Sequence, residues 1–172
     1  MIEAALLDIV PSNPALRLRP AGAADEAFIR HLFEEVRRGQ FAATGLSGPI
    51  LDQIVAQQFR SQVAGYAAQF PDAISLIVTH DFTAVGRLLL HCTGERWHVI
   101  DVALLPADCG RGLGSELFDG LEASGRERGV AALTLTVLVS NVAAHRFYQR
   151  RGFAEIASTD GAHIAMKKDL AV

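Results

Sequence analysis

Between Val102 and Leu117 the chain reads VALLPADCGRGLGSEL, and no other stretch limits the fold so tightly. A β-branched run from Arg96 to Leu105 leads into a loop started by Pro106. Gly110, Gly112 and Gly114 then open a segment in which Leu113, Leu117, Phe118 and Leu121 recur at helical spacing. Glycines let a backbone come close to a ligand, and a helix start offers unpaired N–H groups at the positive end of its dipole. Gly110–Ser115 therefore reads as a seat for a phosphate or pyrophosphate, bound by backbone donors and assisted by Arg111. A glycine turn needed only for packing is the plainer alternative.

Around this segment the pattern is that of one mixed α/β unit. Leu16 to Arg19 alternates as a short strand stopped by Pro20, and Phe28, Leu32, Phe33 and Val36 mark a helix from Ala23 to about Arg38. After a Gly/Ser/Thr loop, a second helix carries Leu51, Val55, Phe59, Val63, Tyr66 and Phe70 on one stripe until Pro71. Ile74–Thr79 and Val85–Cys92 read as a hairpin, followed by the Arg96–Leu105 strand and the Gly112–Arg128 helix, which Gly129 closes. Leu133 to Val139 is a central strand, Asn141 to Arg151 a short helix, and one or two strands, the clearest His163–Lys168, complete the order β-α-α-β-β-β-α-β-α-β(-β). Residues 1–15, with Pro11 and Pro14, form a loose leader and 16–172 a single domain, as 172 residues lead one to expect.

Composition excludes several classes. Sixteen Lys and Arg against nineteen Asp and Glu leave a net charge of −3, which argues against a nucleic-acid or anionic-membrane partner. The longest apolar stretch is too short for a bilayer. The six histidines and two cysteines lack metal-ligand spacing, so no metal site is expected, and two cysteines without a disulfide framework point to a cytoplasmic protein. A Walker loop would need lysine where Gly114-Ser115-Glu116 has none. A dinucleotide fold would need an acid after the next strand, where Val137-Leu138-Val139-Ser140 stands.

The chain resembles the GNAT superfamily of acyl-CoA-dependent N-acetyltransferases through two motifs in the right order. Cys109-Gly110-Arg111-Gly112-Leu113-Gly114 is similar to the family's Arg/Gln-x-x-Gly-x-Gly/Ala loop, with Cys109 where Arg or Gln is typical. The second, Asn141 to Phe153, resembles Asn-x-x-Ala-x-x-Phe-Tyr-x-x-x-Gly-Phe. The resemblance implies a splayed central strand pair, with acetyl-CoA in the cleft where the Arg96–Leu105 strand parts from the Leu133–Val139 strand. Its pyrophosphate would lie on Cys109, Gly110, Arg111, Gly112, Leu113, Gly114 and Ser115. Its pantetheine would pair with the backbone of Val102, Ala103 and Leu104. The Cys109 departure would lower affinity at most, because the loop binds through main-chain amides. The resemblance also implies that Asn141 hydrogen-bonds the cofactor and that Tyr148 protonates the departing thiolate. Being seven residues apart on one helix, the two side chains share a face. An N-cap role for Asn141 and a purely packing role for Tyr148 remain the alternatives.

For the general base, family members use a Glu or His on the splayed strand or a Glu on the next one, where this chain has Thr136. That leaves His98 and Asp101. They lie three residues apart, on opposite faces of a regular strand, and share a face only if a bulge intervenes. Asp101, an acid within an apolar run, must be paired or face substrate, which favours it as base or substrate contact, with His98 in a water relay. Cys109 invites the further idea of redox control, since a helix start lowers a thiol pKa. The acceptor groove would be walled by the first two helices and their loop: Arg37, Arg38, Gln40, Phe41, Gly45–Gly48, Gln57, Gln58, Arg60 and Gln62. Its occupant would be the amine of a small molecule, amino acid or peptide. A non-catalytic acyl-CoA-binding module is the alternative to an enzyme, and the exposed strand edges are compatible with a homodimer.

Overall fold

In the computed structural model, which describes residues 7–158 and 161–170, β1 (Leu16–Pro20) precedes two helices, α1 (Glu26–Phe41) and α2 (Gly48–Gln69). Then come β2 (Ile74–His80), β3 (Thr83–Thr93), β4 (Arg96–Leu104), α3 (Leu113–Glu127), β5 (Ala132–Leu138), α4 (Val142–Arg150), β6 (Ala154–Ser158) and β7 (His163–Asp169). This is the order expected from periodicity, with α1 prolonged to Phe41. The strands form one seven-stranded sheet in the order β1-β2-β3-β4-β5-β7-β6. All neighbours are antiparallel except β4 and β5, whose parallel pairing requires the α3 crossover between them.

The two faces of the sheet differ. On one, Leu76, Leu88, Leu90, Trp97, Leu133 and Leu135 pack with Leu117, Phe118 and Leu121 of α3 and Tyr148 of α4 into the main core. Alternation along the strands sends Arg87, His91, His98 and Thr134 to the other face, which α1 and α2 cover with Leu32, Leu51 and Val55. This second layer holds fewer apolar groups. The cavity forms beneath it.

Two features depart from the sequence expectation. The segment from residue 7 to residue 15 is not loose: Leu7 and Ile9 are buried in the main core, and the Ser124 hydroxyl donates to the Asp8 carbonyl at 3.0 Å. The Pro11 backbone also lies 3.0 Å from where a Cβ on Gly120 would stand. Prolines prevent this segment from joining the sheet, but they do not keep its apolar residues off α3. The second departure is a bulge in β4. Leu89 pairs with Asp101 and Leu90 with Val99, so Ile100 is the extra residue.

One ionic cluster ties α3 to the rest of the fold. Buried Glu122 accepts from Arg126, Arg151 and Lys168, linking α3, the end of α4 and β7. Among the described residues no helix is long and apolar enough to cross a membrane.

Candidate active site

The parallel pairing of β4 with β5 covers only Arg96↔Ala132 to Val99↔Leu135. Beyond it β4 follows β3 as far as Leu104, and β5 follows β7 as far as Leu138. The two central strands therefore part where the bulge bends β4, leaving the β5-facing backbone edge of residues 100–104 without a strand partner. The gap and the underside of α1 and α2 enclose a cavity of about 760 Å³.

His98, Asp101, Val102, Ala103, Asn141 and Tyr148 all line this cavity. The bulge places His98 and Asp101 on one face. Pairing with Leu89 puts Asp101 on the α1/α2 side, where His98 already lies opposite His91. Burial raises the Asp101 carboxyl pKa above the ordinary carboxylate value, and the nearby Arg87 and Arg37 charges only partly oppose this. His98 is stacked on Phe70 (centroids 5.6 Å apart), and its Nδ1 lies 3.0 Å from the Thr134 hydroxyl. That hydroxyl also reaches the Trp97 carbonyl at 3.5 Å. When it donates there, the ring donates from Nδ1 and leaves Nε2 as an acceptor. Burial, then the neighbouring His91, lowers the His98 pKa, which favours the neutral ring.

Tyr148 packs its ring against Phe118, Phe147 and Phe153 at 5.4–5.7 Å, but its hydroxyl makes no hydrogen bond among the described residues. Burial first, and Asp101 second, push its pKa well above the usual phenol value, so it holds its proton. Asn141 performs the capping role: its Oδ1 accepts from the Ala144 N–H at 3.2 Å. The cap fixes the amide plane while Nδ2 makes no hydrogen bond among the described residues, so capping and ligand donation are compatible.

Leu104 and the residues from Cys109 to Ser115 lie outside the cavity wall, at the start of α3. Gly110 (φ 75°) and Gly112 (φ 85°) adopt left-handed backbone that a side chain would strain. The first helical hydrogen bond runs from the Glu116 N–H to the Gly112 carbonyl at 3.1 Å. The N–H groups of Leu113, Gly114 and Ser115 thus find no acceptor among the described residues, and no side chain caps them. A diphosphate fits such a bend through charge and hydrogen bonding together. Arg111 lies at this bend and is paired with Asp108 at 2.8 Å. Burial and then the same Asp108 raise the Cys109 thiol pKa, removing the premise of a reactive thiolate.

The acceptor wall is narrower than the sequence implied. Arg37, Gln40 and Gln62 line the cavity, whereas Arg38 bonds Asp52 and Arg60 bonds Gln57 on exposed surface. Arg87, Tyr66 and Phe70 join the cavity unforeseen. Burial, then Asp101, pushes the Tyr66 phenol up to about 12. A lone Arg87 in the apolar run Val85–Leu90 carried the same signal that singled out Asp101.

The family model described as Acetyltransferase (GNAT) family matches residues 49–153, well over half the chain. The chain belongs to the GNAT acetyltransferase family. The family uses acetyl-CoA as donor. Among solved structures, the PaiA N-acetyltransferase of Thermoplasma acidophilum in complex with coenzyme A is 18% identical, with a TM-score of 0.68 over 90% of this chain and 98% of that one. A GCN5-related N-acetyltransferase from Rhodopseudomonas palustris is 27% identical, with a TM-score of 0.63 over 94% of this chain and 98% of that one. The ribosomal-protein-S18-alanine N-acetyltransferase of Escherichia coli is 20% identical, with a TM-score of 0.63 over 91% and 95%. A search of curated protein sequences found no match. The likeness covers the whole GNAT fold, the α1/α2 wall included.

Proposed function

We propose that this acetyltransferase moves the acetyl group of acetyl-CoA directly to the primary amine of a small molecule, amino acid or peptide, with donor and acceptor bound together. The observation that carries the reading is that a buried carboxylate with a raised pKa, Asp101, and a phenol without a hydrogen-bond partner among the described residues, Tyr148, face one cavity at the mouth of the β4–β5 gap. Asp101 takes a proton from the acceptor ammonium and frees the lone pair that attacks the thioester carbonyl. As the C–N bond forms and the C–S bond breaks, Tyr148 gives its phenolic proton to the leaving thiolate. It regains one from the new amide nitrogen. Proton transfers of this kind contribute about 10²–10⁴-fold each. His98, neutral and with one ring nitrogen held by Thr134, relays protons through water.

In this reading the diphosphate of the donor rests on the amides of Leu113, Gly114 and Ser115, with Cys109, Gly110, Arg111 and Gly112 forming the bend. Asn141 Nδ2 and the open backbone edge of Val102, Ala103 and Leu104 hold the pantetheine arm. Thiol release from acetyl-CoA, followed with a thiol reagent, is expected to depend on added amine and to yield one N-acetyl product per thiol. Tight acetyl-CoA binding without amine-dependent release would favour the non-catalytic module instead.

A further inference from the structure

Arg87 carries a positive charge that no carboxylate among the described residues contacts, Asp101 acting on it only from a distance. It extends from β3 on the same face as Asp101, and its Nε donates to the Ser75 hydroxyl at 2.9 Å, which fixes the plane of the guanidinium. Among the described residues its two terminal nitrogens make no hydrogen bond, and no carboxylate comes within ion-pair range. Arg37 reaches the same cavity from α1, lying 5.1 Å over the Phe33 ring and donating to Gln40 at 2.9 Å, likewise without a carboxylate. A guanidinium drawn partly out of water and left without a contacting carboxylate is costly, so Arg87 fits a site whose anion arrives with the ligand, with the more exposed Arg37 adding to the positive field. Arg87 presents both terminal nitrogens side by side, the arrangement that binds a carboxylate bidentately.

We infer that the acceptor is a free α-amino acid with an apolar side chain, its carboxylate held by Arg87 and its amine directed at Asp101 and Tyr148. The inference rests on the acetyl-transfer reading above and narrows it. Arg87 pairs with Ala103 and Leu89 with Asp101, so Arg87 and Asp101 are diagonal neighbours on one face of the sheet, with backbone positions about 7–8 Å apart as such neighbours run. One carbon separates the amine from the carboxylate of an α-amino acid. With a hydrogen bond at each end, that zwitterion bridges the two residues and complements both charges. Phe33, Phe59 and Phe70 line the rest of the cavity and suit an apolar side chain. A peptide N-terminus would present a neutral amide to Arg87, and a polyamine would bring a second cation to two that are already there.

Matched acceptors test this in the intact protein. L-Phenylalanine, L-phenylalaninamide and 2-phenylethylamine share an apolar body, as do L-leucine, L-leucinamide and 3-methylbutylamine. The amide also stands for a peptide end. Because the amide's amine is less basic, more of it is unprotonated near neutral pH, so any preference for the acid must come from the site. In at least one series, kcat/KM for the amino acid is expected to exceed that of both analogues roughly 30-fold or more. Arg87→Gln should cut that preference to within about threefold, mainly by raising KM, and Arg87→Lys, which keeps charge without the fork, should fall between. The wild-type comparison stands even if a variant fails to fold. Equal or better use of the amide or amine, or a preference that survives Arg87→Gln, would overturn the amino-acid assignment and leave acetyl transfer standing. Acetyl-CoA binding with no amine-dependent thiol release from any of these acceptors would bring down both.

Discussion

Asp101→Asn is expected to lower kcat/KM by about 100-fold or more at neutral pH, while the melting temperature holds or rises. The two effects have one cause. Burial lifts the Asp101 pKa above its value in the unfolded chain, so the folded protein binds this proton more tightly than the unfolded one does. As pH rises through the window from the ordinary carboxylate value to the raised one, the fold loses stability because an ionised carboxylate is then held in the cavity. Asparagine has nearly the same shape and no charge to desolvate, so it relieves that cost while abolishing the base. In the wild type, activity should climb as pH rises through the raised Asp101 pKa, and that acidic limb should vanish in the variant. His98→Ala should have a smaller effect and keep the limb. If instead Asp101→Asn melts earlier and loses activity in proportion, the carboxylate is part of the framework rather than the reaction.

Tyr148→Phe is expected to reduce turnover roughly tenfold or more, with acetyl-CoA affinity barely changed. The substitution keeps the ring that packs on Phe118, Phe147 and Phe153, and it leaves no orphaned partner, because the hydroxyl has none among the described residues. Lost activity can then be assigned to the proton rather than to packing. The phenol enters the reaction with its proton in place: burial and Asp101 raise its pKa, so the proton is there to meet the thiolate as the C–S bond breaks. Unchanged turnover with normal folding would remove Tyr148 from the mechanism.

The parts of the site legible in the sequence are those written locally. Gly110 and Gly112 stand where the backbone is left-handed, and the strand before them and the apolar spacing after them place the bend at a helix start. Asn141 and Tyr148 share one short helix, so their spacing alone sets their common face. What escaped depends on pairing between distant segments. Neither glycine nor proline marks Ile100 as a bulge residue, and strict alternation would have kept Asp101 and His98 apart. The register of β3 against β4 brought them together. Arg87 joins the cavity through the same register, and Tyr66 and Phe70 through the packing of α2 over the sheet, where helical spacing alone read them as core. Leu7 and Ile9 were hidden by the prolines that follow them, although they fill the core beside α3.

The central claim is that a helix start poor in side chains grips a diphosphate so that the thioester it carries reaches Asp101 and Tyr148. A crystal structure with coenzyme A bound tests it most directly. Diphosphate oxygens should accept from the amides of Leu113, Gly114 and Ser115, the pantetheine should run along residues 102–104, and the sulfur should lie within hydrogen-bonding reach of the Tyr148 hydroxyl. Coenzyme A seated elsewhere, with that bend empty or the Tyr148 hydroxyl turned away from sulfur, would contradict the account.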